Sequence, residues 1–278
     1  MSYTEEMFGL TGKTIAITGA GGVIAGAMAE ALLKAGANVS LWAHRKQSAE
    51  ATAARLTASC GAQSASGSTA GRLLALEADA ADRPSVRVAL DATEHRFGTV
   101  DILINCAGGN KGKSAFLEMD VAQFEEVLRL NLTAGLVVPT QVVAARWIER
   151  KSRGCIINLA SMSSFIPLSG VWAYDAAKAA VRNLTMATAK EFAPYGIRVN
   201  ALAPGFFIGN QNRALLIDQA TGELTERGRK IIAHTPFGRF GEVSELAGAL
   251  LFLASDAASG FVTGVTLPVD GGYLVDNV

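Results

Sequence analysis

The chain has 278 residues, 50% of them apolar, with 25 Lys plus Arg against 25 Asp plus Glu. That suits one large hydrophobic core, and the balanced charge excludes a general positive field for nucleic acid or an anionic membrane. Cys60, Cys106 and Cys155 are scattered and have no Cys/His cluster beside them, which argues against a disulfide framework or a metal site and fits a cytoplasmic protein.

In chain order, β-rich apolar runs are predicted at 14–18, 39–42, 73–77, 102–105, 155–159, 198–203 and 265–269. Helical segments separate them. The first, 24–35, sets Ile24, Met28, Ala31, Leu32 and Ala35 along one face; Pro84 opens another at a position that tolerates proline. Strands that are apolar throughout and alternate with helices imply a doubly wound α/β sheet of about seven parallel strands, in one domain spanning 1–278. The stretch 60–71 is small and polar, as in a flexible surface loop. Glu5 and Glu6 do not suit an export signal, and the apolar run 246–255 is too short to cross a bilayer.

The first strand leads into Thr18-Gly19-Ala20-Gly21-Gly22 and then a helix, where backbone can approach a pyrophosphate and helix N–H groups can receive its charge. Alone, the turn is also compatible with an unliganded tight turn. Further loops follow the strand ends: Asp79 and Ala80, then Asn105-Cys106-Ala107-Gly108, then Ser161. Tyr174 and Lys178 lie four apart, on one helix face, where an ammonium would move a phenol's pKa toward the working pH. After the second strand come His44, Arg45 and Lys46 with no carboxylate. Arg45 suits a 2′-phosphate, so NADP(H) is expected over NAD(H), although the cluster also reads as a solvated loop.

TGAGG at 18–22, Asp79, NCAG at 105–108, Asn131 within LNLTA, Ser161, Tyr174 with Lys178, Pro204-Gly205 and VDGG at 269–272 together resemble the short-chain dehydrogenase/reductase family across nearly the whole chain. The resemblance implies a catalytic set of Asn131, Ser161, Tyr174 and Lys178. Tyr174 would protonate a carbonyl oxygen, Ser161 would bond that oxygen, Lys178 would hold the nicotinamide ribose, and Asn131 would support a water chain from Lys178 to solvent. Cofactor contacts are expected from Gly19, Gly21, Gly22, Val23, Ile24, His44, Arg45, Lys46, Asp79, Ala80, Asn105, Ala107, Gly108, Tyr174, Lys178, Pro204, Gly205 and Phe207. Two departures stand out. Val23 and Ala25 occupy positions where the family's glycine pattern has glycine, and Gly209 stands where many relatives carry threonine.

The segment 206–236 is expected to cover the site as a lid. Substrate contacts are expected from Asn110, Lys111, Met162, Gln211 and Arg213, a polar set suited to an oxygenated anion but also to a solvent-facing lid edge. GGVIAGAMAEAL, SMSSF, APGFFIGNQNRALL and HTPFGRFGE are similar to the subgroup labelled D-mannonate oxidoreductase or fructuronate reductase. The implied substrate is a keto-sugar acid or related polyol. A 3-oxoacyl thioester or hydrophobic ketone reductase, and a non-catalytic NADP-binding sensor, are the alternatives. The resemblance also implies a homotetramer, and the balanced charge leads to an expectation of no nucleic-acid or membrane partner.

Overall fold

All seven apolar runs become strands of one parallel sheet in the computed structural model, which describes residues 2–60, 69–209 and 213–276. They are β1 (Thr14–Thr18), β2 (Asn38–Ala43), β3 (Leu73–Glu77), β4 (Ile102–Asn105), β5 (Gly154–Leu159), β6 (Ile197–Pro204) and β7 (Thr266–Val269). Their order is β3-β2-β1-β4-β5-β6-β7. The order reverses between β1 and β4, and a crevice beyond the carboxyl ends of the strands is expected at that point.

Helices cover both faces. In chain order they are α1 (Tyr3–Phe8), α2 (Val23–Lys34), α3 (Lys46–Cys60), α4 (Arg83–Phe97), α5 (Val121–Leu128), α6 (Val138–Glu149), α7 (Trp172–Phe192), α8 (Arg213–Leu216), α9 (Glu226–Ala233), α10 (Leu246–Ala254) and α11 (Asp256–Ser259), with a π-helical segment, Arg129–Val137, joining α5 to α6. Strand alternation divides the core. Ile15 and Ile17 pack with Met28, Leu32 and Leu250 on one face, while Ala16 packs with Leu90, Val143 and Trp147 on the other. The apolar run Val121–Glu149 is long enough to cross a membrane, but 61% of its most apolar window is buried within the protein, as befits a core helix.

Three local expectations need correction. The first helix starts at Val23, and its buried stripe is Ala25, Met28, Ala29, Leu32 and Leu33; Ile24, Ala31 and Ala35 are only partly buried at its margins. Alanines at 25 and 29 let the helix lie close to the sheet, which shifts the stripe. Cys60 is the buried last residue of α3, and Thr69–Arg72 forms a short 3-10 turn, so the 60–71 stretch is not loop at either end; 61–68 lie outside the described residues. The last strand begins at Thr266 rather than 265, because the Val265 N–H turns to the Asn200 side chain.

Candidate active site

The cofactor end is built mostly from backbone. Thr18 Oγ1 accepts the N–H groups of Cys106 (3.0 Å) and Ala107 (3.1 Å), fastening the end of β1 to the loop after β4. The next residue, Gly19, has φ +66°, and a Cβ there would lie 2.7 Å from Ala107 Cα and 2.8 Å from the Cys106 oxygen. Only glycine fits. Gly22 then starts α2 without a side-chain cap, so N–H groups of the first turn remain for an anion at the crevice. This is the fit a dinucleotide's diphosphate requires. The glycine departures are explained here too. Ala25 buries its methyl in the core, and the close approach falls one residue later, at Gly26, where a side chain would strike Arg55 of α3. Sequence reasoning missed Thr18 and Gly26; the signal for Gly26 was a glycine inside an otherwise good helix.

His44, Arg45 and Lys46 are exposed beyond β2; Lys46 pairs with Glu50 at 3.7 Å, and Arg45 has no acidic partner among the described residues. Asp79 and half-buried Ala80 follow β3, with Asp79 Oδ1 accepting the Ala81 N–H (2.8 Å). At β6, Gly205 lies so close to the chain at 270 that a Cβ would come within 2.6 Å of Asp270 Cα. Phe207 is buried and bridged to Gly241, so its ring packs against that glycine.

Asn131 sits in the π-helical segment and is 0% exposed. Its Oδ1 accepts the Gly109 N–H (3.1 Å), while Nδ2 donates to the oxygens of Gly109 (2.7 Å) and Val127 (2.9 Å). Both polar groups of this one residue thus clamp the loop after β4. The wider π turn is a common device at such sites. Gly108 lies between the clamp and Lys178, since a Cβ on it would be 2.7 Å from Asn131 Oδ1 and 3.5 Å from Lys178 Nζ. Asn105 is buried in the floor, donating to Thr140 and Asn158 at 2.9 Å each.

Ser161 is the N-cap of a 3-10 turn, Met162–Ser164, and its hydroxyl accepts the Ser163 N–H (3.2 Å). Ser164, not anticipated, donates to the Lys178 carbonyl (2.6 Å) and accepts the Ser161 N–H (3.3 Å), fixing this turn to α7. Lys178, only 4% exposed, donates to the Leu159 carbonyl (2.7 Å), and its Nζ lies 5.6 Å from the Tyr174 ring centroid.

The electrostatics differ from the sequence expectation. Burial raises the Tyr174 pKa above the usual phenol value; the Ser161 hydrogen bond lowers it and the Asp175 charge raises it. Burial also lowers Lys178 to about 8, with Cys106 acting in the opposite direction. The ammonium is directed to a carbonyl rather than to the phenol oxygen, so it does not bring Tyr174 into the working range in this state.

A stability test follows from the Lys178 shift. Between pH 8 and 10.5 the unfolded chain holds more of this proton than the folded chain, so stability from this group rises with pH across that window. The full change is on the order of 3 kcal/mol. Cys106 and Tyr174 have raised values and act oppositely, so the quantity to measure is the difference between wild type and Lys178→Met in denaturant unfolding without cofactor. The wild type is expected to gain on the variant from pH 8 upward; a flat difference contradicts the burial of this amine.

The substrate residues are less well gathered. Lys111 is exposed and paired with Glu126, Asn110 is exposed and donates to Gly112 O (2.9 Å), and Met162 is 2% exposed. Arg213 is exposed at the start of α8, and Gln211 lies outside the described residues. A cleft of about 560 Å³ instead opens between Lys113–Ala115 and Pro167–Gly170, with Trp172 on its wall. Trp172 Nε1 donates to Ser114 O (3.1 Å), and Ser114 N donates to Gly170 O (3.2 Å).

A family model described as enoyl-(acyl carrier protein) reductase matches residues 19–274. The chain is 42% identical over 280 residues to an uncharacterised oxidoreductase, UxuB, of Bacillus subtilis strain 168, covering 95% of this chain and 96% of that protein. A crystal structure from Haemophilus influenza with bound NAD, provisionally described as a D-mannonate oxidoreductase, superposes with a TM-score of 0.86 at 38% identity, covering 98% of this chain and 99% of that one. A gluconate 5-dehydrogenase from Burkholderia cenocepacia J2315, in complex with NADP and tartrate, gives a TM-score of 0.85 at 36% identity over 99% and 100% of the two chains. With this fold and these matches, the chain belongs to the short-chain dehydrogenase/reductase family and is a nicotinamide-dependent oxidoreductase acting on CH–OH groups.

Proposed function

We propose that the protein interconverts a keto-sugar acid and its alcohol, such as fructuronate and mannonate or a related polyol, with NADP(H) preferred over NAD(H). The observation that carries the reading is the gathering of Ser161 and half-buried Tyr174, whose pKa the Ser161 hydroxyl lowers, with buried Lys178 one helical turn on, at the carboxyl edge of the sheet. The bound nicotinamide supplies or accepts the hydride. The turn Gly19, Gly21, Gly22, Val23 and Ile24 would hold the diphosphate, while Arg45 would offer a planar partner for a 2′-phosphate. Pro204 and Gly205 would bound the nicotinamide side.

In the reducing direction Tyr174 gives its proton to the substrate oxygen, and Ser161 donates a hydrogen bond to the same oxygen. Lys178 bonds the Leu159 carbonyl in the free protein, and only by turning toward the phenol oxygen, one helical turn away, would its charge oppose the cost of the phenolate. Asn131 keeps the loop after β4 in place beneath it. Sugar acids are favoured because the named gluconate dehydrogenase and the provisional mannonate oxidoreductase are similar along almost their whole length. A homotetramer in the cytoplasm completes the reading; fully exposed Phe261 and partly exposed Val265, at the edge beyond β6, are apolar surface that a subunit contact would cover.

Purified protein assayed with NADPH and with NADH against D-fructuronate, neutral sugars, a hydrophobic ketone and a 3-oxoacyl thioester tests both parts. The largest kcat/KM is expected for the keto-sugar acid with NADPH. Faster turnover of the thioester or ketone refutes the substrate assignment, and a tenfold preference for NADH refutes the cofactor assignment.

A further inference from the structure

Asp175, next to Tyr174 in the first turn of α7, is a carboxylate with no role in the reaction described above. It is 9% exposed. Oδ2 accepts the backbone N–H of Leu168 (3.1 Å), and Oδ1 is buried without a hydrogen-bond partner among the described residues. Burying a carboxylate that way is unfavourable for packing alone. Its charge also works against a phenolate at Tyr174. An alanine would avoid both costs, so the contact it does make, to Leu168, is the place to look for its role.

We propose that Asp175 is a positioning residue that holds the loop 165–171 against α7 and thereby sets the wall of the cleft lined by Trp172, two residues before Tyr174. Pro167 and Leu168 form part of the cleft wall, facing Lys113–Ala115. Two fasteners already join these loops, from Ser114 to Gly170 and from Trp172 to Ser114. The first binds the loop to the opposite wall, and the second binds the start of α7 to that wall. The Asp175 bond differs in tying the loop to the helix that carries Tyr174, so it fixes the distance between the proton-transfer group and the cleft wall. Burial pushes the carboxyl up to about 6, and the Leu168 N–H pulls it down, so at pH 7 the acceptor is mostly ionised. An acceptor is all this bond needs, and an asparagine oxygen supplies one.

The inference rests on the proposed reaction at Tyr174, and two readouts separate its failure from that of the substrate assignment. The first is hydrogen–deuterium exchange at the peptide covering 165–171 in the free protein, which needs no substrate. The second is steady-state kinetics with whichever carbonyl compound of the panel the wild type reduces best. Asp175→Ala is expected to exchange that peptide at least tenfold faster and to raise KM at least fivefold, with kcat within threefold. Asp175→Asn is expected to restore both exchange and KM to within twofold of wild type. Where Asp175→Ala does not fold, Asp175→Ser replaces it, because its hydroxyl is too short to reach Leu168 and the same two changes are expected. Unchanged exchange and KM in the alanine or serine variant overturns the proposal. So does an asparagine variant as impaired as alanine, since charge rather than the Leu168 bond would then be what matters.

Discussion

Tyr174→Phe is expected to bind the nicotinamide cofactor as the wild type does and to lose turnover by about 10²–10⁴-fold, the contribution typical of a positioned general acid or base. The change removes one oxygen from a half-buried ring that touches Ser161, so the fold should tolerate it. The loss should appear in kcat and in kcat/KM together, because the proton moves only as the hydride does. Cofactor titration by intrinsic fluorescence, beside single-turnover kinetics, separates binding from chemistry. A phenylalanine variant with full turnover requires another proton donor and removes the basis of the mechanism. Loss of cofactor binding together with turnover would instead mean that the phenol is part of the nucleotide site.

The second large effect is expected at Gly19. Alanine there must adopt φ near +66° and place its Cβ 2.7 Å from the Cα of Ala107, with the Ala107 nitrogen and Cys106 oxygen at 2.8 Å. All three are backbone atoms, which cannot rotate away. Left-handed backbone costs a non-glycine residue about 1–2 kcal/mol, and relieving the clash must move the β4 loop away from the end of β1. That breaks the Thr18 bonds to Cys106 and Ala107. Gly19→Ala is therefore expected to lose cofactor affinity by at least tenfold and to unfold at lower temperature, as calorimetry with and without NADPH would show. Gly22→Ala is the control. Its φ of −83° is ordinary, and the nearest contact of a Cβ, the Gly19 oxygen, is at 3.3 Å, so a smaller loss is expected.

Much of this was legible in the chain because local chemistry and tertiary structure agree. Thr-Ile-Ala-Ile-Thr at 14–18 is β-prone throughout and stops at a glycine, so β1 was bounded to the residue. The seven-strand parallel sheet followed from the repetition of such runs. Tyr174 and Lys178 could be placed on one helix face from spacing alone, and Ser161 from its position after a strand. The missing parts are those decided across the fold. Nothing in the order of residues shows that the Lys178 amine turns to Leu159, or that Asn131 grips Gly109, since these partners are 19 and 22 residues distant. The loop contact of Lys111 was hidden for a simpler reason. Lys111 lies 15 residues from Glu126, and polar loop residues readily pair with one another once the chain is folded.

The floor beneath the proposed site is crowded around a single peptide, with Gly19, Gly108 and Gly135 each facing neighbours that a methyl group would strike: Ala107 for the first and third, Asn131 for the second. His44, Arg45 and Lys46 stand apart from this knot, on open surface. On the proposed reading, nucleotide selectivity could be redesigned at that rim without disturbing the chassis beneath, whereas any side chain added to the knot shifts three elements at once.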